Sequence, residues 1–252
     1  MTKQEALFNY CLRLGDNSLI LGHRLSEWSS KAPIIEEDLA LTNMALDLIG
    51  RSVALLKYAA EAEGKGHSED DLAYRRPERK FYNNLLVEQP NGDFAVTIVR
   101  QFFNSTFEFL LYEELTKSKD ATIAGIAAKT IKEIKYHLRH ATDWMLRLGD
   151  GTPESHLRVQ NALNDLWMFS DELFEMNEVD EILIKEGIAV DLTTLKTNWE
   201  KRINEVILEA TLIVPTSTFM QTGSRQGIHS EYLGYIIAEM QYLQRAYPDA
   251  KW

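Results

Sequence analysis

The sequence predicts an all-α protein, and three observations carry that prediction. Apolar residues recur at steps of three and four through long stretches, with no sustained two-residue alternation. The six prolines stand at 33, 77, 90, 153, 215 and 248, so they punctuate those stretches rather than interrupt them. Capping residues and glycines sit where the apolar periodicity starts and stops.

The first helix is expected over 3–30, where Leu7, Cys11, Leu14, Ser18, Leu21, Leu25 and Trp28 keep one face inward. Ser29-Ser30-Lys31-Ala32-Pro33 ends it, because proline lacks a donor and pushes its predecessor out of helical geometry. A second helix is expected over 36–63, through Leu39, Leu41, Met44, Leu46, Leu48, Ile49, Val53 and Leu56, closed by Gly64-Lys65-Gly66. Residues 65–91 are polar, contain two prolines and read as a long connection. Asn91-Gly92-Asp93 offers an N-cap for a helix over 94–117, and Asp120 caps the next, over 120–148, which Gly149-Asp150-Gly151 ends. Thr152 followed by Pro153 is a cap with proline at the first helical position, opening a helix over 153–175. Asp191 caps another over 191–209, residues 210–230 look irregular, and a final helix covers 231–246. The stretches with room for a short antiparallel pair are 188–193 and 210–222.

Hairpin, long crossover, hairpin is the order of a ferritin-like four-helix bundle, here with additional C-terminal helices. A chain of 252 residues fits one such domain over 1–252. Apolar residues make up 45% of it and charged residues 26%, which excludes a disordered chain. The formal charge of −11 repels phosphate backbones and anionic lipid, so neither nucleic acid nor a membrane is an expected partner. One cysteine, Cys11, leaves no internal disulfide and no cysteine-based zinc site. The amino-terminal Met1-Thr2-Lys3-Gln4-Glu5-Ala6 lacks the apolar core of a secretory signal. No unbroken apolar run approaches the about 18 residues of a membrane span. The expected location is the cytoplasm.

Bundles of this kind hold two metal ions with a Glu from each of two helices and a Glu-x-x-His from each of the other two. The i, i+3 spacing puts carboxylate and imidazole on one helix face. Histidines occur at 23, 67, 137, 140, 156 and 229, and the residues three before them are Ile20, Gly64, Ile134, His137, Pro153 and Gln226. None is acidic. Asp47 interrupts the apolar run of the second helix, with Gly50 three residues on; Glu133 lies mid-way along the fourth, followed by Tyr136. Both positions keep a carboxylate and lose the imidazole. Reflection across each hairpin loop puts Asp16-Asn17-Ser18 and Asn104-Ser105-Glu108 opposite them.

Two readings of these residues compete. In one, the core is metal-free, with Asp47 paired to Arg51 and Glu133 to His137 at i, i+4. In the other, Asp47, Glu108, Glu133 and His137 form a sparse metal site. His137-x-x-His140 reads as half-buried packing beside Trp144, and Phe102, Phe103, Phe107 and Phe109 read as core. Gly223-Ser224-Arg225-Gln226-Gly227 has no strand before it and reads as a turn. Arg75-Arg76-Pro77-Glu78-Arg79-Lys80, the basic cluster of an acidic chain, is either a solvated loop or the seat of an acidic partner or an anionic tail such as that of CoA. No catalytic, cofactor-binding or metal-binding residue is assigned; Asp47, Gly50, Glu133 and Tyr136 are degenerate metal positions.

Six segments carry a resemblance. They are Leu12-Arg13-Leu14-Gly15-Asp16-Asn17, Asp38-Leu39-Ala40-Leu41, Val87-Glu88-Gln89-Pro90-Asn91-Gly92, Lys132-Glu133-Ile134-Lys135-Tyr136-His137-Leu138-Arg139, Glu186-Gly187-Ile188-Ala189-Val190-Asp191 and Ala238-Glu239-Met240-Gln241-Tyr242-Leu243-Gln244-Arg245. Through them the chain resembles, over essentially its full length, the non-catalytic C subunits of bacterial phenylacetyl-CoA 1,2-epoxidases. The resemblance implies a ferritin-like subunit that pairs with and stabilises a catalytic diiron subunit in phenylacetate breakdown. That complex inserts one oxygen atom from O2 into the ring of phenylacetyl-CoA to give the 1,2-epoxide. Its electrons come from NADPH through a reductase subunit with flavin and an iron–sulfur cluster, and small accessory subunits complete it. The resemblance implies no cofactor in this chain. Helix-on-helix contact over an apolar face is expected with the partner, and a homodimer on the same face when the partner is absent. The alternative is a stand-alone metal-dependent oxidase or a CoA-ester-binding ferritin-like protein.

Overall fold

A computed structural model describes residues 1–248 and 250; positions 249, 251 and 252, the end of the expected domain, lie outside the described residues. The helices are α1 (Lys3–Ser26), α2 (Ile35–Glu63), α3 (Glu69–Tyr74), α4 (Leu85–Glu88), α5 (Phe94–Leu115), α6 (Ala121–Gly149), α7 (Pro153–Leu166), α8 (Glu178–Lys185), α9 (Thr193–Glu209), α10 (Glu231–Met240) and α11 (Tyr242–Ala246). No strand occurs among the described residues, so the all-α class holds and the room for an antiparallel pair is not used. In 210–222 the backbone finds other partners. The Gln160 amide donates to the Ile213 carbonyl and accepts from its N–H, at 2.9 and 2.8 Å, and Gln221 N–H donates to the Met168 carbonyl. Contacts divide the chain into two compact units, one of Met1–Gln89, Asn177–Leu183 and the chain from Gly223, the other of Pro90–Met176 and Ile184–Thr222.

In the first unit α1 packs along α2. Leu7, Cys11, Leu14, Ser18, Leu21 and Leu25 are all buried, as the period requires. A Cβ on Gly15 would lie 2.8 Å from the Leu56 side chain, so the absence of one lets the helices close together. α1 stops at Ser26, short of the expected residue 30. Ser29 and Lys31 N–H bond back three residues in tight turns, and Ser30 takes a left-handed φ of 67°. α2 ends as expected at Gly64, whose φ is 69°. By length and composition α2 is apolar enough to cross a membrane, and half of that window is buried within the protein.

The expected connection at 65–91 is folded chain. It carries α3, a 3-10 turn at Glu78–Lys80 and α4, and Phe81, Leu86 and Val87 have no exposed surface. Ser68 and Asp71 cap α3 reciprocally, and α1 packs against α4. The last helix breaks at Gln241, whose side-chain amide donates to the carbonyls of Ala73 and Arg76, both at 3.0 Å. The 223–227 stretch is the turn expected. A Cβ on Gly227, at φ 71°, would lie 2.2 Å from the Arg79 carbonyl oxygen, so only glycine fits.

In the second unit α5 packs along α6, and α7 and α9 cover both. Asp93, Asp120 and Thr152 cap α5, α6 and α7 as predicted. Asp191 accepts from the Thr193 N–H at the start of α9. The helix expected over 153–175 ends at Leu166 and continues as 3-10 turns at Trp167–Phe169 and Asp171–Phe174. Tertiary packing decides this break. Trp199 lies 5.6 Å from Phe174, 6.3 Å from Trp167 and 5.5 Å from Phe103, whose carbonyl takes its indole N–H. Phe102, Phe103 and Phe107 are buried core, while Phe109 is half-buried under Arg202.

Candidate functional site

The residues of interest are the buried polar positions of α1, the middle of α2, and the middle of α5 and α6. On α1 they belong to the crossover. Asp16 has no exposed surface and accepts from both terminal nitrogens of the Arg76 guanidinium, and its Oδ2 also takes the Tyr82 N–H at 3.0 Å. Arg76 is held over the Phe81 ring and donates further to the carbonyls of Leu72 and Lys80. Asn17 accepts the Asn84 N–H at 2.7 Å, and Arg24 donates to the Glu88 carbonyl from Nε and a terminal nitrogen. The Glu88 side chain takes the Ser230 N–H and hydroxyl and the Asn83 amide and lies 2.8 Å from His229 Nδ1, while His229 Nε2 lies 2.9 Å from the Phe81 carbonyl. Ser18 accepts from Arg51 Nε at 2.8 Å. One turn earlier, Arg13 forms a doubly bonded pair with Asp180 of α8. Burial pushes the Asp180 carboxyl up, but Arg13 and the Asn177 N–H outweigh it and hold it below the ordinary range. Sequence reasoning missed this pair and α8 itself; Asn177 three before Asp180, followed by Val179 and Leu183, was the available signal.

On α2, Asp47 is half-buried and Gly50 is exposed, with nothing within 4 Å of where its Cβ would stand. Gly50 lies on an outward seam. Positions 39, 43, 46, 50, 53 and 57 follow one another at steps of four and three, and every one is exposed. The seam's apolar members, Leu39, Leu46 and Val53, are 59, 62 and 45% exposed, and Ile35 one turn earlier is 72% exposed. Leu39, Leu46 and Val53 are among the apolar residues that mark the second helix in the sequence. α2 is apolar on more than one side, so its period alone does not say which side faces inward.

In the second unit, Asn104, Ser105 and Glu108 of α5 are buried, as is His137 of α6. Glu133 is half-buried, and Tyr136 is 39% exposed with its ring 6.2 Å from those of His137 and His140. Trp144 packs edge-on against Phe94 instead, centroids 5.0 Å apart. Among the described residues no three His, Cys, Asp or Glu side chains come together as a metal ion requires. Positions 50 and 136 carry no imidazole, and the Asp16 carboxylate is ion-paired with Arg76.

An all-helical chain with two long helical hairpins is ferritin-like, and it belongs to the phenylacetic acid catabolic protein family, which matches residues 1–252. Within that family it is 51% identical over 243 residues to the C subunit of the 1,2-phenylacetyl-CoA epoxidase of Escherichia coli K12, covering 96% of this chain and 98% of the relative.

Proposed function

We propose that this chain is the non-catalytic subunit of a phenylacetyl-CoA 1,2-epoxidase, docking on and stabilising a catalytic diiron subunit in the cytoplasm. One observation carries the reading: position 50. It follows a half-buried carboxylate by three residues, has no side chain, and lies in an exposed seam between Leu46 and Val53. A histidine there would extend away from the protein's own core. A glycine there, between Leu46 and Val53, lets a partner helix approach closely, and apolar residues repeating every seven positions, as Leu39, Leu46 and Val53 do, suit helix-on-helix packing. Oxygen activation, the iron pair and the NADPH-linked flavin and iron–sulfur carriers then belong to other subunits. This chain's contribution is a rigid face, held by α1 and the crossover beneath it.

The test is metal content after anaerobic loading of the purified chain with Fe(II) and desalting, followed by mixing with a catalytic diiron subunit of a phenylacetyl-CoA 1,2-epoxidase. Near-zero iron and a stable heteromer are expected. Iron approaching two per chain would overturn the reading and make the chain an oxidase in its own right.

A further inference from the structure

The basic cluster at 75–80 borders a cleft of about 550 Å3 in the first unit, and the subunit role leaves it unexplained. Its floor is apolar and aromatic, formed by Phe8 and Leu12 of α1, Leu72 of α3, and Tyr82. Four cations, Lys65, Arg75, Arg76 and Lys80, line it against two carboxylates, Glu63 and Asp71, in a protein whose overall charge is −11.

Both carboxylates are already neutralised. Burial pushes Glu63 up, but His67 at 2.5 Å and Lys65 at 3.2 Å outweigh it and hold it below the ordinary range. Asp71 is held low by the Ser68 N–H and hydroxyl, with Arg75 Nε 3.3 Å away. The Arg76 guanidinium is turned to Asp16 and to backbone carbonyls. That leaves Lys80, which meets no carboxylate among the described residues; Lys65 and Arg75 each pair with one of the two carboxylates while their heads stay exposed to a ligand. Arg76 donates to the Lys80 carbonyl at 2.7 Å, so the lysine projects from a fixed backbone. The cleft is of ordinary ligand-pocket size, roughly 300–1,000 Å3, and far exceeds a single phosphate. Flexible cations around an aromatic floor suit a base with several phosphates. Asn9 and Tyr82 also line a neighbouring cleft of about 170 Å3 reaching Arg13 and Arg225, so the space continues beyond a compact nucleotide.

We propose that this cleft binds the 3′-phosphorylated ADP end of coenzyme A, with the pantetheine arm leaving past Tyr82. The choice of coenzyme A over other elongated nucleotides rests on the proposed membership of a CoA-ester monooxygenase; the nucleotide chemistry rests on the cleft alone.

The test is isothermal titration of the full-length chain at 50 and 200 mM salt with coenzyme A, adenosine 3′,5′-bisphosphate, ADP, pantetheine and inorganic diphosphate. Coenzyme A is expected to bind most tightly and more weakly at high salt, and pantetheine not to bind. The R75A/K80A variant, altered only at exposed side chains, is expected to lose about tenfold or more in affinity while keeping the wild-type melting temperature. No binding of millimolar coenzyme A, or binding indifferent to R75A/K80A, overturns the site. Diphosphate binding as tightly as coenzyme A reduces it to an adventitious ion patch and overturns it as well. ADP binding as tightly as coenzyme A overturns the assignment to coenzyme A and points to a free nucleotide. A chain that binds coenzyme A through Lys80 and also loads iron keeps the cleft and sinks the subunit reading, so the two fail separately.

Discussion

Replacing Asp16 with alanine separates a structural role for this carboxylate from a metal-binding one. Its side chain has no exposed surface, and that of Arg76 is 11% exposed. D16A removes both acceptors from the guanidinium and the acceptor of the Tyr82 N–H, leaving a mostly buried cation with only the Leu72 and Lys80 carbonyls. Removing one partner of a buried ion pair costs about 3–5 kcal/mol. Because Arg76 keeps two carbonyl acceptors, the low end applies, about 3 kcal/mol. At about 2–4 °C per kcal/mol for a chain of this size, the melting temperature falls by about 6–12 °C. Urea denaturation of D16A, R76M and the double variant D16A/R76M gives the coupling. The double variant has no stranded charge and is expected to be more stable than D16A by at least about 1 kcal/mol. A D16A cost below about 1 kcal/mol, or strict additivity, would refute the assignment of Asp16 to the crossover.

Three further outcomes follow from the same structure. Burial pulls the His23 imidazole below its ordinary range, outweighing Glu27; a depressed pKa means the unfolded chain binds more protons, so stability is lost as pH falls through the unfolded value near 6.5. The H23Q variant is expected to lose less stability than wild type between pH 7.5 and 5.5, read by denaturant midpoint; an identical pH slope removes His23 as the cause. Asp180 is likewise depressed, so its pairing with Arg13 is fully present above the unfolded value near 3.9 and lost as pH falls below it; D180N should flatten the acid limb of the stability curve, and an unchanged limb contradicts the pairing. At Gly50, alanine is expected to stabilise the isolated chain by about 0.5–1 kcal/mol, since its Cβ meets nothing in a helix interior. G50R is expected to leave the fold intact and abolish heteromer formation in size-exclusion chromatography; a heteromer that still forms rules out the α2 seam as the docking face.

The long helices were legible because their limits are local. Asp93, Asp120, Thr152 with Pro153, and Gly64 each stop or start a helix through bonds within four residues, and those bonds are written in the sequence. The misplaced ends are decided at long range. Trp167–Phe174 leaves helical geometry to pack around Trp199, and Gln241 breaks the last helix to reach carbonyls at positions 73 and 76. Short helices such as α3, α4 and α8 fall below the length at which periodicity speaks, although Ser68 with Asp71 and Asn177 with Asp180 carried cap signals.

For the candidate site, residue types were legible and directions were not. Asp47 followed by Gly50, and Glu133 followed by Tyr136, could be read as lost motifs from spacing alone. Whether Gly50 faces inward depends on the phase of a helix that is apolar almost all round, and the period alone does not say that Leu39, Leu46 and Val53 face outward. The exposed steps of four and three through positions 39 to 57 change the meaning of the substitution. At an inward position, losing an imidazole only disables a metal centre. On an outward seam, losing the whole side chain opens a slot about one residue wide along a face roughly 27 Å long, at 1.5 Å per residue. The same glycine that cannot ligate iron is the member of this seam that offers no steric barrier to another helix. Asp16 shows the complementary case: a carboxylate placed by reflection opposite Asp47 is committed to Arg76, so a carboxylate retained in such a bundle is evidence of a metal only after its own ion pairs have been accounted for.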